Sequence, residues 1–189
     1  MADDRQGMTR EGIPLEASSI NLKTILVPID DSEHSTVALQ WGASLAQHYG
    51  AQLLLLHVVP KTVEEVPRPG AGSGPLIGSS SVEQLVTPGG TSAAEGLVID
   101  YVAQAETALA ALARTQLPAS VPATVRVALG RPAEEILRVA EEAGVDLIVM
   151  GTHGRTGLRH VLLGSVAEAV ERTVGCAALT VKVPAPGAS

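Results

Sequence analysis

The chain has 189 residues, a formal net charge of −7 and an isoelectric point near 5.2; the length suits one α/β domain, and the acidity argues against a nucleic-acid-binding surface. The single cysteine, Cys176, permits no intrachain disulfide and fits a reducing compartment. Residues 1–22 lack the apolar core of a signal peptide, and no apolar run approaches the roughly 18 residues of a membrane helix, so we expect a cytoplasmic protein that does not bind membranes.

Apolar runs alternate with helical patterns along the chain. Buried parallel strands are predicted at residues 23–29, 52–59, 124–129, 146–150 and 178–183. Helices are predicted at residues 35–49, 94–117, 133–143 and 165–173. Gly50 and Gly144 follow two of these helices as stop signals. The alternation predicts a doubly wound, open parallel sheet of five strands with helices on both faces.

Two segments do not fit this alternation. Residues 1–22 are polar, which predicts a flexible N-terminal extension. Residues 60–92 are rich in Gly, Ser and Pro, which predicts a long flexible insertion. The rest, residues 23–184, is predicted to form a single domain, followed by a short tail at residues 185–189.

A glycine-rich segment follows the fourth predicted strand. Gly151, Gly154, Gly164 and Ser165 have the spacing G-x2-G-x9-G-S between that strand and the last helix. Glycine lets backbone N–H groups approach an anion, and a helix N-terminus adds unpaired N–H groups and partial positive charge. The pattern therefore predicts a phosphate cradle, although its spacing differs from that of the P-loop.

Together with this segment, four landmarks make the chain resemble the universal stress protein family in its ATP-binding branch. They are the first strand with its terminal aspartate, the second strand, the third strand-to-helix junction and the fourth strand entering the loop, at residues 24–32, 54–59, 130–137 and 147–155. The resemblance implies the strand order 3-2-1-4-5. It also implies that ATP or a related adenine nucleotide binds between strands one and four, where the order reverses. The implied role is a nucleotide-dependent regulator of a stress response that acts through an unidentified protein partner.

The resemblance also assigns roles to individual residues. Asp30 would contact the ribose or adenine region and is the candidate ligand of Mg²⁺ or Mn²⁺, and the backbone of Val58 would meet the adenine. The apolar residues expected to line the adenine slot are Pro28, Ile29 and Met150. The rest of the nucleotide-binding set comprises Gly151, Thr152, Gly154, Arg155, Gly164, Ser165 and Val166.

Each assignment has a simpler structural alternative. The glycines fit turns, and Val58 fits a strand core. Ser165 and Glu168 have the spacing of a capping box, in which the serine caps the helix and the glutamate reaches back. Asp30 fits a helix cap or a turn, although the neighbouring Asp31 competes for the capping role.

The sequence shows no recognisable arrangement of catalytic residues. The sequence offers groups that can donate hydrogen bonds to phosphate, but no general base is evident. We therefore expect ATP hydrolysis to be slow or absent. His57 in an apolar strand fits a hydrogen-bonded core histidine. Two alternatives remain open: a slow ATPase or other nucleotide-processing enzyme on the same fold, and a nucleotide-free protein-interaction module.

The last predicted strand would lie at an edge of the sheet. The segment from Ala178 to Val183 is apolar and β-branched, with Lys182 as its only charge. An exposed edge of this kind pairs readily with its own copy, which predicts an isologous homodimer. The alternative is a monomer whose edge is covered. The family often has Pro-Val where this chain has Ala177 and Ala178, which leaves the start of the strand open.

Overall fold

A computed structural model describes residues 20–59, 91–152 and 164–183, with side chains in the second range from residue 101 onward. The elements in chain order are β1 (Thr24–Pro28), α1 (Glu33–Tyr49), β2 (Gln52–Val59), α2 (Thr91–Gln116), β3 (Ala123–Leu129), α3 (Pro132–Glu142), β4 (Leu147–Gly151), α4 (Ser165–Thr173) and β5 (Ala177–Val181). The strands form one parallel sheet in the order β3-β2-β1-β4-β5, which confirms the predicted fold and strand order.

The predicted bounds of the helices and strands agree with the observed ones to within three residues. The bounds of β2 and α4 agree with the prediction, and α1 ends before Gly50, whose φ of 69° favours glycine. The strand β5 starts one residue earlier than predicted and ends at Val181. The helix α2 begins at Thr91, inside the predicted insertion. The N-terminal extension up to residue 19, residues 60–90 and the tail after residue 183 lie outside the described residues.

Helices cover both faces of the sheet. In β1, Ile25 and Val27 join the apolar cluster of α1 and α2, whereas Leu26 joins the cluster of α3 and α4. Successive strand side chains point to opposite faces, so a sheet covered on both sides requires the continuous apolar runs seen in the sequence. Among the helices of the described residues, none is long and apolar enough to cross a bilayer.

Asp146, the residue before β4, links the amino ends of β1 and β4. Its Oδ2 accepts hydrogen bonds from the backbone N–H groups of Lys23 and Thr24 at 2.7 and 2.9 Å. Its own N–H donates to Thr24 O at 3.0 Å. The bond from Thr24, and then that from Lys23, lowers the pKa of Asp146 below its ordinary value of 3.8, because both bonds favour the ionised carboxylate. We call this arrangement the Asp146 clamp.

Candidate functional site

The pairing of β1 with β4 ends before the carboxyl edge of the sheet, and we call the position between the two strands beyond that point the crevice. The register of these two strands consists of Ile25 with Leu147 and Leu26 with Ile148. Beyond these pairs, β1 continues against β2 and β4 continues against β5. The strand order reverses here, and open α/β sheets bind ligands at such a point, outside the carboxyl ends of the strands.

On one side of the crevice, β1 leads into α1 through a turn held by hydrogen bonds of its own side chains. Asp30 Oδ1 accepts from the N–H and the hydroxyl of Ser32 at 3.1 and 2.6 Å. Ser32 caps α1, and its Oγ accepts from Ser35 N–H at 3.1 Å. The prediction that Asp31 competes for the cap is therefore wrong. Asp31 instead takes the left-handed conformation, with a φ of 66°, and Asp30 is the turn aspartate of the simpler alternative.

On the other side, β4 leads into α4 through a junction closed by backbone hydrogen bonds. Thr152 N–H donates to Val181 O at 2.9 Å, and Gly164 N–H donates to Thr152 O at 2.6 Å. Residues 153–163, which include the predicted site residues Gly154 and Arg155, lie outside the described residues. Thr152 and Gly164, which flank this segment, are thus hydrogen-bonded to each other at the end of β4.

No side chain in the described part of the chain caps the N-terminus of α4. Gly164 is the N-cap, and Ser165 is the first helical residue, where its exposed side chain makes no hydrogen bond to the described residues. Glu168 pairs with Arg172 at 2.5 Å instead of reaching back. The predicted capping box is therefore wrong, because the glycine before the serine occupies the cap position. The N–H groups of the first turn, Val166 among them, carry the partial positive charge of a helix N-terminus, and this N-terminus lies beside the end of β4.

Gly151 has a steric role that the sequence does not reveal. A Cβ at this position would lie 2.6 Å from His34 Cβ and 3.0 Å from the backbone carbon of His34. Glycine is therefore needed for the first turn of α1 to approach β4, whether or not a phosphate lies nearby. Sequence reasoning also missed His34 itself, although the helix after a switch-point strand begins beside the crevice.

The apolar residues expected at the adenine slot are divided between the faces of the sheet. Ile29 is buried in the cluster of α1 and α2, whereas Met150 is buried in that of α3 and α4. The two side chains therefore lie on opposite faces of the sheet. Val58 packs against the α3 and α4 cluster, as its simpler alternative states, and Pro28 is half-buried at the end of β1.

The described residues also bear on metal binding and on nucleophilic chemistry. Across residues 20–59, 101–152 and 164–183, no three His, Cys, Asp or Glu side chains lie close enough together to hold a metal ion. Asp30 thus offers one carboxylate, which would need oxygen ligands from the nucleotide to complete a Mg²⁺ site.

Burial raises the pKa of the Cys176 thiol, which disfavours the reactive thiolate.

The fold and its crevice define a class of protein, the doubly wound α/β domains that hold a ligand at the switch point of a parallel sheet. The model of the universal stress protein family matches residues 21–182, and the chain belongs to this family.

Relatives of this chain include two universal stress proteins from Methanocaldococcus jannaschii. MJ0531 is 32% identical over 162 residues, which cover 86% of this chain and 83% of the relative. MJ0577 is 29% identical over 164 residues, which cover 87% and 97%. The solved structure of MJ0577 aligns with a TM-score of 0.66 at 28% identity and covers 88% of this chain and 99% of its own. A universal stress protein in complex with cAMP has the same fold, with a TM-score of 0.50 and 18% identity over 86% and 98% of the two chains.

Proposed function

We propose that this chain binds ATP, or a related adenine nucleotide, in the crevice between β1 and β4 and acts as a nucleotide-dependent regulator of a stress response in the cytoplasm. The observation that carries the proposal is the N-terminus of α4, which no side chain of the described residues caps and which the hydrogen bond from Gly164 to Thr152 holds at the end of β4. A helix N-terminus at a ligand crevice is suited to phosphate.

The two described glycines of the motif differ in what requires them. Gly151 is needed for helix packing, as shown above. Gly164 has a φ of −70° and a ψ of 153°, a conformation open to any residue, so its backbone does not require glycine. Close approach of a phosphate to the N–H groups at the start of α4 does favour a residue without a side chain. Gly164 is therefore the glycine whose identity best supports a phosphate contact.

The nucleoside would occupy the part of the crevice next to β1. Asp30 would contact the ribose or adenine and, with the phosphates, hold Mg²⁺ or Mn²⁺. The backbone of Val58 would meet the adenine. The remaining predicted contacts are Pro28, Ile29, Met150, Gly151, Thr152, Gly154, Arg155, Ser165 and Val166. The cAMP seen in a protein of this fold belongs to that protein, and the choice of ATP rests on the glycine spacing of this chain.

The two alternatives make different predictions. The enzyme alternative would release phosphate from ATP in the presence of magnesium, and a rate on the order of 1 per second or faster would support it; we expect a far lower rate or none. A nucleotide-free interaction module would show no adenine nucleotide bound to the purified protein when it is denatured and examined by mass spectrometry.

Titration calorimetry with ATP and magnesium tests the phosphate contact. Gly164→Val should weaken binding about tenfold or more, because the branched side chain covers the first-turn N–H groups. Gly175→Val is the matched control, since it lies near the other end of α4 and an added Cβ there meets nothing within 4 Å. The proposal fails if wild-type protein does not bind ATP, or if folded Gly164→Val binds as tightly as the control.

We also propose that the protein forms a homodimer through β5. The strand lies at the sheet edge; Ala177 and Ala178 are exposed and Leu179 is half-buried, so a partner strand would bury further apolar surface. Ala177 N–H donates to Asp146 O, and Val181 O accepts from Thr152 N–H. The ladder alternates, so the N–H of Thr180 points away from β4 toward the free edge.

This geometry selects the substitution that tests the dimer. Thr180→Pro removes an outward-facing donor and leaves the ladder to β4 intact, whereas Val181→Pro removes a ladder donor and would also weaken the fold. We expect wild-type protein to have a dimer mass in light scattering and Thr180→Pro to have a monomer mass with unchanged ATP affinity. A monomeric wild type, or a dimeric Thr180→Pro, would exclude this interface.

A further inference from the structure

The backbone hydrogen bonds between β1 and β2 end at Ile29, and the next hydrogen bond between these two segments comes from the ring of His57. Ile29 N–H donates to Leu56 O at 2.8 Å, which is the last such bond of this strand pair. A continuing parallel ladder would next bring the N–H of Val58 to Ile29 O. Among the described residues, that carbonyl instead faces the Nδ1 atom of His57 at 2.8 Å. Since a carbonyl oxygen only accepts, Nδ1 carries the proton and donates.

The second observation is that the polar ring of His57 is buried among apolar side chains. The side chain is 5% exposed and lies on the same face of β2 as the apolar residues Leu53 and Leu55. Burial of a polar ring in such surroundings is unfavourable unless it is hydrogen-bonded. The Ile29 carbonyl supplies this bond.

The hydrogen bond fixes the peptide that orients Asp30. Ile29 O and Asp30 N belong to one planar peptide group, so holding the oxygen sets the direction in which the chain leaves β1. The next residues form the turn in which Asp30 Oδ1 accepts from Ser32, and Asp31 takes its left-handed conformation. His57 also directly precedes Val58, whose backbone is the proposed adenine contact.

We propose that His57 is a positioning residue for the nucleotide site, in that its ring N–H holds the Ile29 carbonyl and thereby fixes the orientation of Asp30. This inference rests on the proposed nucleotide binding for its functional consequence. The structural part of it, the fixed turn at residues 30–32, is measurable in the protein without any nucleotide.

The test uses two substitutions at one position and a control elsewhere. His57→Leu removes the donor and keeps an apolar side chain of similar reach, whereas His57→Asn places an amide N–H close to the original Nδ1 position. The control is Val139→Ala, a fully buried residue of α3 whose truncation weakens the core without touching Ile29 or Asp30. Urea unfolding of all three places their stabilities on one scale.

Two measurements are made on each variant. In the free protein, amide hydrogen exchange at Ser32 should be faster in His57→Leu than in wild type, because its acceptor Asp30 is less well held, and near wild type in His57→Asn and Val139→Ala. In calorimetry, His57→Leu should bind ATP about tenfold more weakly, and His57→Asn should recover most of the affinity.

The outcomes separate the two proposals. If wild-type protein does not bind ATP, the proposed function fails, and the exchange data still decide whether His57 holds the turn. Equal exchange in wild type and His57→Leu overturns the positioning role, as does a loss of affinity in Val139→Ala as large as that in His57→Leu. Faster exchange with wild-type ATP affinity overturns the link between the turn and the nucleotide.

Discussion

The strands β1 and β4 are joined at one end and separate at the other. At the amino edge, the Asp146 clamp supplies three hydrogen bonds between the start of β1 and the residue before β4. At the carboxyl edge, the same strands part after two paired positions. Because the register between β1 and β4 is so short, the three hydrogen bonds of the clamp make up a large part of what joins the two strands.

The open end is itself asymmetric. The junction from β1 to α1 uses its own side chains, because Asp30 binds Ser32 and Ser32 caps the helix. At the other junction, no side chain of the described residues caps the N-terminus of α4. The contrast suggests that the first junction is built for rigidity and the second for an external anion, and variants at the two edges and the two junctions test this division.

The largest effect is expected where the two junctions touch. Gly151→Val should lower the free energy of unfolding by about 3 kcal/mol, because the new side chain overlaps the first turn of α1. Urea unfolding measures the change, and Gly175→Val, which meets nothing within 4 Å of its Cβ, should differ little from wild type. A Gly151→Val protein as stable as wild type would show that α1 can move away from β4 without cost.

The next effect concerns the closed end. Asp146→Ala should lower the free energy of unfolding by about 1 to 2 kcal/mol at pH 7, since two backbone N–H groups lose a charged acceptor that is partly exposed to solvent. ATP affinity should stay within about twofold of wild type, because the clamp lies at the opposite edge from the crevice. A large loss of affinity would show that the two ends are coupled.

The same clamp predicts a pH dependence. The pKa of Asp146 is lower in the folded protein than its ordinary value of 3.8, so its stabilisation is present above that value and is lost as the pH falls through the lower folded pKa. The stability difference between wild type and Asp146→Ala should therefore be constant near neutral pH and shrink below about pH 4. Urea unfolding at several pH values checks this, and a difference that grows on acidification would contradict it.

The smallest effects compare the two serines at the junctions. Ser32→Ala should cost about 1 kcal/mol of stability, because α1 loses its cap, whereas Ser165→Ala should leave stability unchanged. The order should reverse for ATP affinity, with Ser165→Ala the more harmful if its hydroxyl meets phosphate. Thermal unfolding and calorimetry on both variants decide this. Equal losses of stability would mean that α4 is capped after all.

Much of the fold was predictable because it depends on local periodicity. The bounds of β2 and α4 follow from an apolar run and an amphipathic repeat, and the strand order follows from the family resemblance. The cap of α1 was not predictable, since Asp30, Asp31 and Ser32 are all good capping residues and the conformation of Asp31 decides among them. The steric role of Gly151 depends on the approach of α1, a contact that no local pattern encodes.

The Asp146 clamp also has a consequence for the synthesis of the chain. Its acceptor and the Thr24 N–H are 122 positions apart, although β1 and β4 are neighbours at the centre of the sheet. At 5 to 20 residues per second, a ribosome needs roughly 6 to 24 seconds to add that length of chain. Throughout that interval, the side of β1 that will meet β4 has no native partner, and an apolar strand with an open edge favours aggregation. We therefore expect conditions that weaken early packing of α1 on β1 to reduce the yield of soluble protein before they alter the stability of the finished molecule.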